Sequence, residues 1–169
     1  MTVSAALALG GCGFRPLYGD HGAESVVNGL SDIDVAAPAT EVGRELKFAL
    51  LDRFSQSGDA PVSPAYRLLL APTSYTQDVA VQQNAQVTRA NFVLVVPFRL
   101  VETAHNKTVL SSTSRSRSSY NRVESEYANL VAANDASRRT AEAVADDIKL
   151  QISVFFDRKI NRDAPADGK

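Results

Sequence analysis

The sequence predicts an α+β fold, a two-layer sandwich in which two helices pack on one face of a mostly antiparallel four-stranded sheet, in the order β-α-β-β-β-α. Three observations predict it. Apolar residues recur with a 3.6-residue period in two stretches, one early and one closing the chain. Between them, apolar and polar residues alternate with a period of two over long runs. The 169 residues suffice for one domain with a real core and not for two comfortable ones, and a 44% hydrophobic and 22% charged composition is that of a folded globular protein.

Gly19 to Asn28 is small and polar with two glycines and reads as a tether, so that residues 12–28 form an N-terminal lead-in and residues 29–160 the domain. Ile33 and Val35 then alternate with Asp32 and Asp34, a short strand with one buried face that ends by Pro38. Thr40 can cap a helix from Glu41 to Ser57, because its hydroxyl accepts from amides of the first turn. Within it Val42, Leu46, Ala49, Leu50 and Phe54 fall on one stripe, with Arg44, Lys47 and Arg53 away from its centre. Gly58 offers a left-handed stop, and Pro61 and Pro64 prevent resumption.

Ala65 to Val81 reads as one long strand in which Pro72, unable to donate to a ladder, marks an edge, a bulge or a break. The chain reverses at Gln82-Gln83-Asn84-Ala85 and returns through Gln86 to Val101. There Phe92, Leu94, Val96, Phe98 and Leu100 take one face and Val93, Val95 and Val101 the other, so this strand is buried on both sides or keeps a face for a partner. After a turn at His105-Asn106-Lys107, Thr108 to Tyr120 is β-permissive but poor in apolar residues. Its Ser112–Ser119 run has the look of an Arg/Ser tract, but the β-branched and apolar residues just before it favour a strand.

Asn121 to Ser125 is a loop, and Ser125 can cap a closing helix from Glu126 to Arg158 that would approach 50 Å at about 1.5 Å per residue. Ala141, Val144, Ala145, Ile148, Ile152, Phe155 and Phe156 follow 3-4 spacing, and Asn134 and Asp135 mark a candidate kink in a weaker first half. The charged, proline-containing tail 161–169 is expected to be disordered.

The one cysteine, Cys12, follows an apolar run and the small residues Gly10 and Gly11. This is the pattern of a lipidation site: a leader over 1–11 is cleaved, and Cys12 takes a diacylglyceryl thioether and becomes the first mature residue. The leader is short, with Ser4 to Leu9 as its apolar part and no Lys or Arg ahead of it, as a start codon set too late would leave it. A single acylated cysteine leaves no disulfide, zinc-thiolate or thiol-nucleophile chemistry. No apolar run reaches the roughly 20 residues of a membrane-spanning helix, so attachment rests on two or three acyl chains, each buried methylene contributing about 0.8 kcal/mol.

Cys12-Gly13-Phe14-Arg15-Pro16-Leu17-Tyr18-Gly19 resembles the mature start of the lipopolysaccharide-assembly lipoprotein family LptE in its alphaproteobacterial form. Arg44-Glu45-Leu46-Lys47, Tyr66-Arg67-Leu68, and Tyr120 with Glu126-Tyr127-Ala128 continue the likeness. The resemblance implies a lipoprotein on the periplasmic leaflet of the outer membrane. It would plug the large β-barrel LptD, help that barrel fold and take part in placing lipopolysaccharide on the cell surface. Family members bind lipopolysaccharide through basic residues near a hairpin tip; here the tip, Gln82-Gln83-Asn84, is uncharged.

The net charge of −1 is unevenly spread. Tyr66 to Tyr120 carries six basic residues (Arg67, Arg89, Arg99, Lys107, Arg115, Arg117) against two acidic ones, a local +4. Arg115 and Arg117 share one strand side about 7 Å apart, and with Arg89 they are the candidate contacts to lipopolysaccharide or to a barrel wall, since guanidinium forks suit lipid phosphates. The competing reading is an edge strand defended by charge and serine. No phosphate loop, metal-ligand cluster, serine elbow or histidine–carboxylate pair appears; His21 and His105 are loop residues on this reading, and neither catalysis, cofactor, metal nor nucleic acid is expected. The alternative function is an independent periplasmic lipid-binding or carrier lipoprotein, which would need an enclosed apolar pocket of roughly several hundred cubic ångströms.

Overall fold

The structure is a computed structural model that describes residues 21–55, 59–81 and 87–163. Its elements are α1 (His21–Ser31), β1 (Ile33–Ala36), α2 (Glu41–Phe54), β2 (Tyr66–Leu70), β3 (Thr73–Val81), β4 (Val87–Glu102), β5 (Lys107–Asn121) and α3 (Glu126–Asp163). This is the expected α+β two-layer arrangement, with three helices and a five-stranded mixed sheet rather than two and four.

Both differences have a local cause. The first is the segment read as a tether, which is helical: Val26 and Leu30, one turn apart, are buried in the core and hold α1 against the end of α3. Gly29 allows that approach, because a Cβ there would meet the Phe156 ring at 3.2 Å. The second is Pro72. The single strand expected over residues 65–81 breaks there into β2 and β3, which share one edge of β4: β2 pairs with Phe98–Glu102 and β3 with Val87–Val95. Between them the Ala71 amide donates to the Pro97 carbonyl at 3.0 Å. In an antiparallel ladder a residue's N–H and C=O point the same way, so Pro97, which has no N–H, faces the break made by Pro72.

β4 is the axis of the sheet. β5 pairs along its other edge from Arg89↔Asn121 to Glu102↔Lys107, and β1 lies parallel on the far side of β2. The β4–β5 turn passes through Asn106, whose φ of 48° lies in the left-handed region that asparagine tolerates.

All three helices cover one face. Thr40 caps α2 as expected, its hydroxyl accepting from the Gly43 amide at 3.1 Å, but α2 ends at Phe54 with Ser55 extended, short of Ser57; Gly58 lies outside the described residues. α3 runs unbroken through Asn134 and Asp135 for 38 residues, about 57 Å, and passes Arg158 to reach Asp163, so residues 161–163 are helical; 164–169 lie outside the described residues. Ser125 receives the Ala128 amide at 3.4 Å, and the Asn129 side chain clamps Val123, accepting from its N–H and donating to its carbonyl, each at 2.8 Å.

The core lies between sheet and helices: Leu94, Val96, Phe98 and Leu100 of β4 meet Leu46 and Leu50 of α2 and Val144, Ala145, Ile148 and Ile152 of α3. Each of the Leu, Val, Ile and Phe side chains among them contributes roughly 1.5–3 kcal/mol. The apolar poverty of β5 has its reason here. By register its inward positions are Leu110, Ser112, Ser114, Ser116, Ser118 and Tyr120, and α3 lies over this strand, whose four serines leave room for it.

Candidate functional site: the arginine face of the sheet

Among the described residues, the second face of the sheet carries no helix. Strand alternation and register place on it Asp34, Arg67 and Leu69; Thr73, Tyr75 and Gln77; Arg89, Asn91, Val93, Val95, Arg99 and Val101; and Ser111, Thr113, Arg115, Arg117 and Ser119. Five of the six basic residues that make the middle of the sequence positive therefore share one surface, and all five are exposed. Among the described residues of these strands, Asp34 is the one carboxylate on that surface, and it is paired with Arg67 at 3.2 Å. Arg89, Arg99, Arg115 and Arg117 remain as a net positive field on a ground of serine, threonine, glutamine and asparagine.

The structure keeps Arg115 and Arg117 on one face, as their spacing predicts, and brings Arg89 and Arg99 to the same face, which sequence spacing did not establish. Arg115 is also held in place. Its guanidinium donates to the Tyr75 hydroxyl at 3.1 Å. Tyr75 is on β3 and Arg115 on β5, so this bond spans β4 above Val93 and Val95, their register partners. That bridge accounts for Val93 being 1% exposed on a face without helices. The doubly apolar pattern of β4 is resolved the same way: one face is core, and the other is roofed by a neighbouring tyrosine and arginine stems. Nearby, Ser119 donates to Asn91 at 2.6 Å.

β5 is also an edge strand along its outer side, so the defended-edge reading and the contact reading describe two sides of one element. A groove of about 500 Å³ opens at the proline break, lined by Leu69, Ala71, Pro97, Arg99, Ser111 and Thr113 among others. Two further grooves of about 500 Å³ lie on the helical side, and all three are open to solvent. Among the described residues there is no group of three or more potential metal ligands and no helix long and apolar enough to cross a membrane. Cys12, the leader and the Gln82–Ala85 reversal lie outside the described residues.

A two-layer arrangement of this kind is shared with solved structures of bacterial lipoproteins. A protein of Caulobacter crescentus described as a lipoprotein superposes with a TM-score of 0.65 at 22% identity, over 79% of this chain and 96% of that one. Rare lipoprotein B of Shewanella oneidensis gives 0.57 at 13% identity, over 77% and 96%. A lipoprotein B of Nitrosomonas europaea gives 0.56 at 15% identity, over 78% and 87%. No family model and no curated protein sequence matches the chain.

Proposed function

We propose that this chain is a non-catalytic outer-membrane lipoprotein, acylated at Cys12, that serves as plug and assembly partner of the β-barrel LptD in lipopolysaccharide transport. The observation that carries the reading is the uncovered sheet face, where exposed arginines stand among Ser, Thr, Gln and Asn. A plug must hydrogen-bond the polar inner wall of a large barrel, and a face of this composition does so without exposing an apolar core. The same guanidiniums pair with the phosphates of lipopolysaccharide where these pass the plug. The shared lipoprotein fold and the Cys12–Gly19 motif support the placement on the outer membrane.

Detergent extraction of the outer membrane followed by affinity purification of this chain tests the proposal. The expected result is a stoichiometric large β-barrel identified by mass; a chain that purifies alone, with barrel levels unchanged when it is deleted, overturns it. Replacing Arg115 and Arg117 together with Gln is expected to weaken barrel or lipopolysaccharide contact. Both side chains are exposed and the Tyr75 bond is a surface one, so the melting temperature should fall by no more than the equivalent of about 1 kcal/mol, read by thermal unfolding. The alternative of an independent lipid carrier calls for an enclosed apolar cavity, whereas the three grooves are open and the large apolar side chains are used in helix–sheet packing.

A further inference from the structure

One cation of the positive middle segment, Lys107, is absent from the arginine face. By its register with Glu102 it stands on the helical side, at the start of β5, where the last turns of α3 pass. There a groove of about 500 Å³ opens between the two elements. Its rim carries Lys107, Arg158, Lys159 and Arg162, and its floor is Val109, Leu110, Val154 and Phe155.

The α3 contribution is one helical face: Gln151, Val154 and Phe155, Arg158 and Arg162 follow at three- and four-residue steps. The floor is continuous with the core, since Val109, Leu110 and Phe155 pack against it. It is also braced. Phe155 lies 5.4 Å from Phe156, and Phe156 meets Tyr66 edge-on at 5.2 Å. Lys159 donates to the Tyr66 hydroxyl at 2.8 Å and sits 5.5 Å from its ring centre, so this cation is positioned at the rim by the domain itself. Glu102, whose field reaches both Lys107 and Lys159, is engaged by His105 at 2.9 Å.

Cations in a last helical turn offset the helix dipole, and that accounts for Arg162. It accounts neither for Lys107, which comes from another element, nor for the apolar floor between them. We propose that this groove binds a phosphate-bearing lipid, the phosphate held by Lys107, Arg158 and Arg162 and the first part of an acyl chain lying on the Val109–Phe155 floor. Free phosphate would use the rim alone, whereas a lipid phosphate matches rim and floor together. The inference does not depend on the barrel partnership, and its test contains no barrel.

The full chain carrying Cys12→Ala is titrated with a short-chain phosphatidic acid below its micelle concentration, and separately with inorganic phosphate, by calorimetry. Saturable lipid binding is expected, with inorganic phosphate at least about tenfold weaker. Arg158→Gln with Arg162→Gln should weaken the lipid about thirtyfold, while Arg138→Gln with Arg139→Gln, a matched charge change on the same helix, leaves it unchanged. Equal binding by the Arg158/Arg162 variant, equal loss in both double variants, or inorganic phosphate as tight as the lipid overturns the proposal. Should the Arg158/Arg162 variant fail to fold, exposed Lys107→Gln provides the same reading on β5, with an expected loss of about fivefold and no loss counting against it.

Discussion

Single residues divide here into those that hold the fold and those it leaves free. Ser114 and Ser153 carry buried hydroxyls without a hydrogen-bond partner in the structure. A buried polar group left unpaired costs free energy, and alanine also suits a helix interior better than serine. Ser153→Ala is therefore expected to stabilise the protein by about 1 kcal/mol, seen as a higher melting temperature. A lower one would mean that the hydroxyl has a partner after all. The arginine site was legible at this scale only in part. The two-residue spacing of Arg115 and Arg117 was enough to put them on one face, but Tyr75 lies 40 residues from Arg115, and their bond depends on a register that no local pattern contains. Arg158 and Arg162 were passed over for related reasons: Arg158 closes the expected helix, where charges are common, and Arg162 falls in the tail expected to be disordered, so only the arrival of Lys107 from β5 makes them part of a groove.

At the level of elements, α2 and the stripe on α3 were readable because apolar side chains recur strongly in both. α1 was not. Its residues are mostly small or polar, and among its described side chains Val26 and Leu30 alone are buried in the core, too few for a periodic signal to outweigh two glycines. Docking rather than propensity makes it a helix. Leu30→Ala should accordingly cost about 2–4 kcal/mol in urea unfolding, a large share of the stability of a domain this size, and a cost under about 0.5 kcal/mol would show that α1 contributes little.

α2 and α3 are further joined by Arg53, which donates to both carboxylate oxygens of Asp146. That hydrogen bond, opposed by desolvation and helped by the charge of Arg53, holds the Asp146 carboxyl below its ordinary range. The folded state thus binds its proton less readily than the unfolded state does. The stabilisation is complete above the ordinary carboxylate pKa and is lost as pH falls through the folded value. With the Asp146 side chain 66% exposed, solvent screening keeps the effect under about 1 kcal/mol. Asp146→Asn should be slightly less stable than the parent at pH 7, and the difference should vanish in acid below the folded pKa. A difference that persists there would assign the effect to something other than ionisation.

For the molecule as a whole, the layers separate duties: helices and the inner sheet face carry the apolar core, and the outer face carries charge. The described core draws on side chains from Val26 to Phe156, and Cys12→Ala is expected to leave the domain folded while releasing it from membranes washed in high salt. Fractionation reads this directly, and retention of the variant in the membrane would show that acylation is not the tether. The positive surplus of the middle sequence announced an anion-facing surface, but not which surface. Only the register of β5 against β4 gathers Arg89, Arg99, Arg115 and Arg117 on one face.

The break at Pro72 has an outcome that reaches past stability. Thr73 to Val79 are all exposed, and none of these side chains joins either core cluster. Apart from Tyr75, whose hydroxyl holds Arg115, and Asp78, paired with Arg122 at 3.2 Å, what the fold asks of this strand is backbone pairing with β4, so its other exposed side chains can drift through generations at small thermodynamic penalty. A lineage whose partner changes shape can follow it by rewriting one strand, leaving the interior as it was inherited.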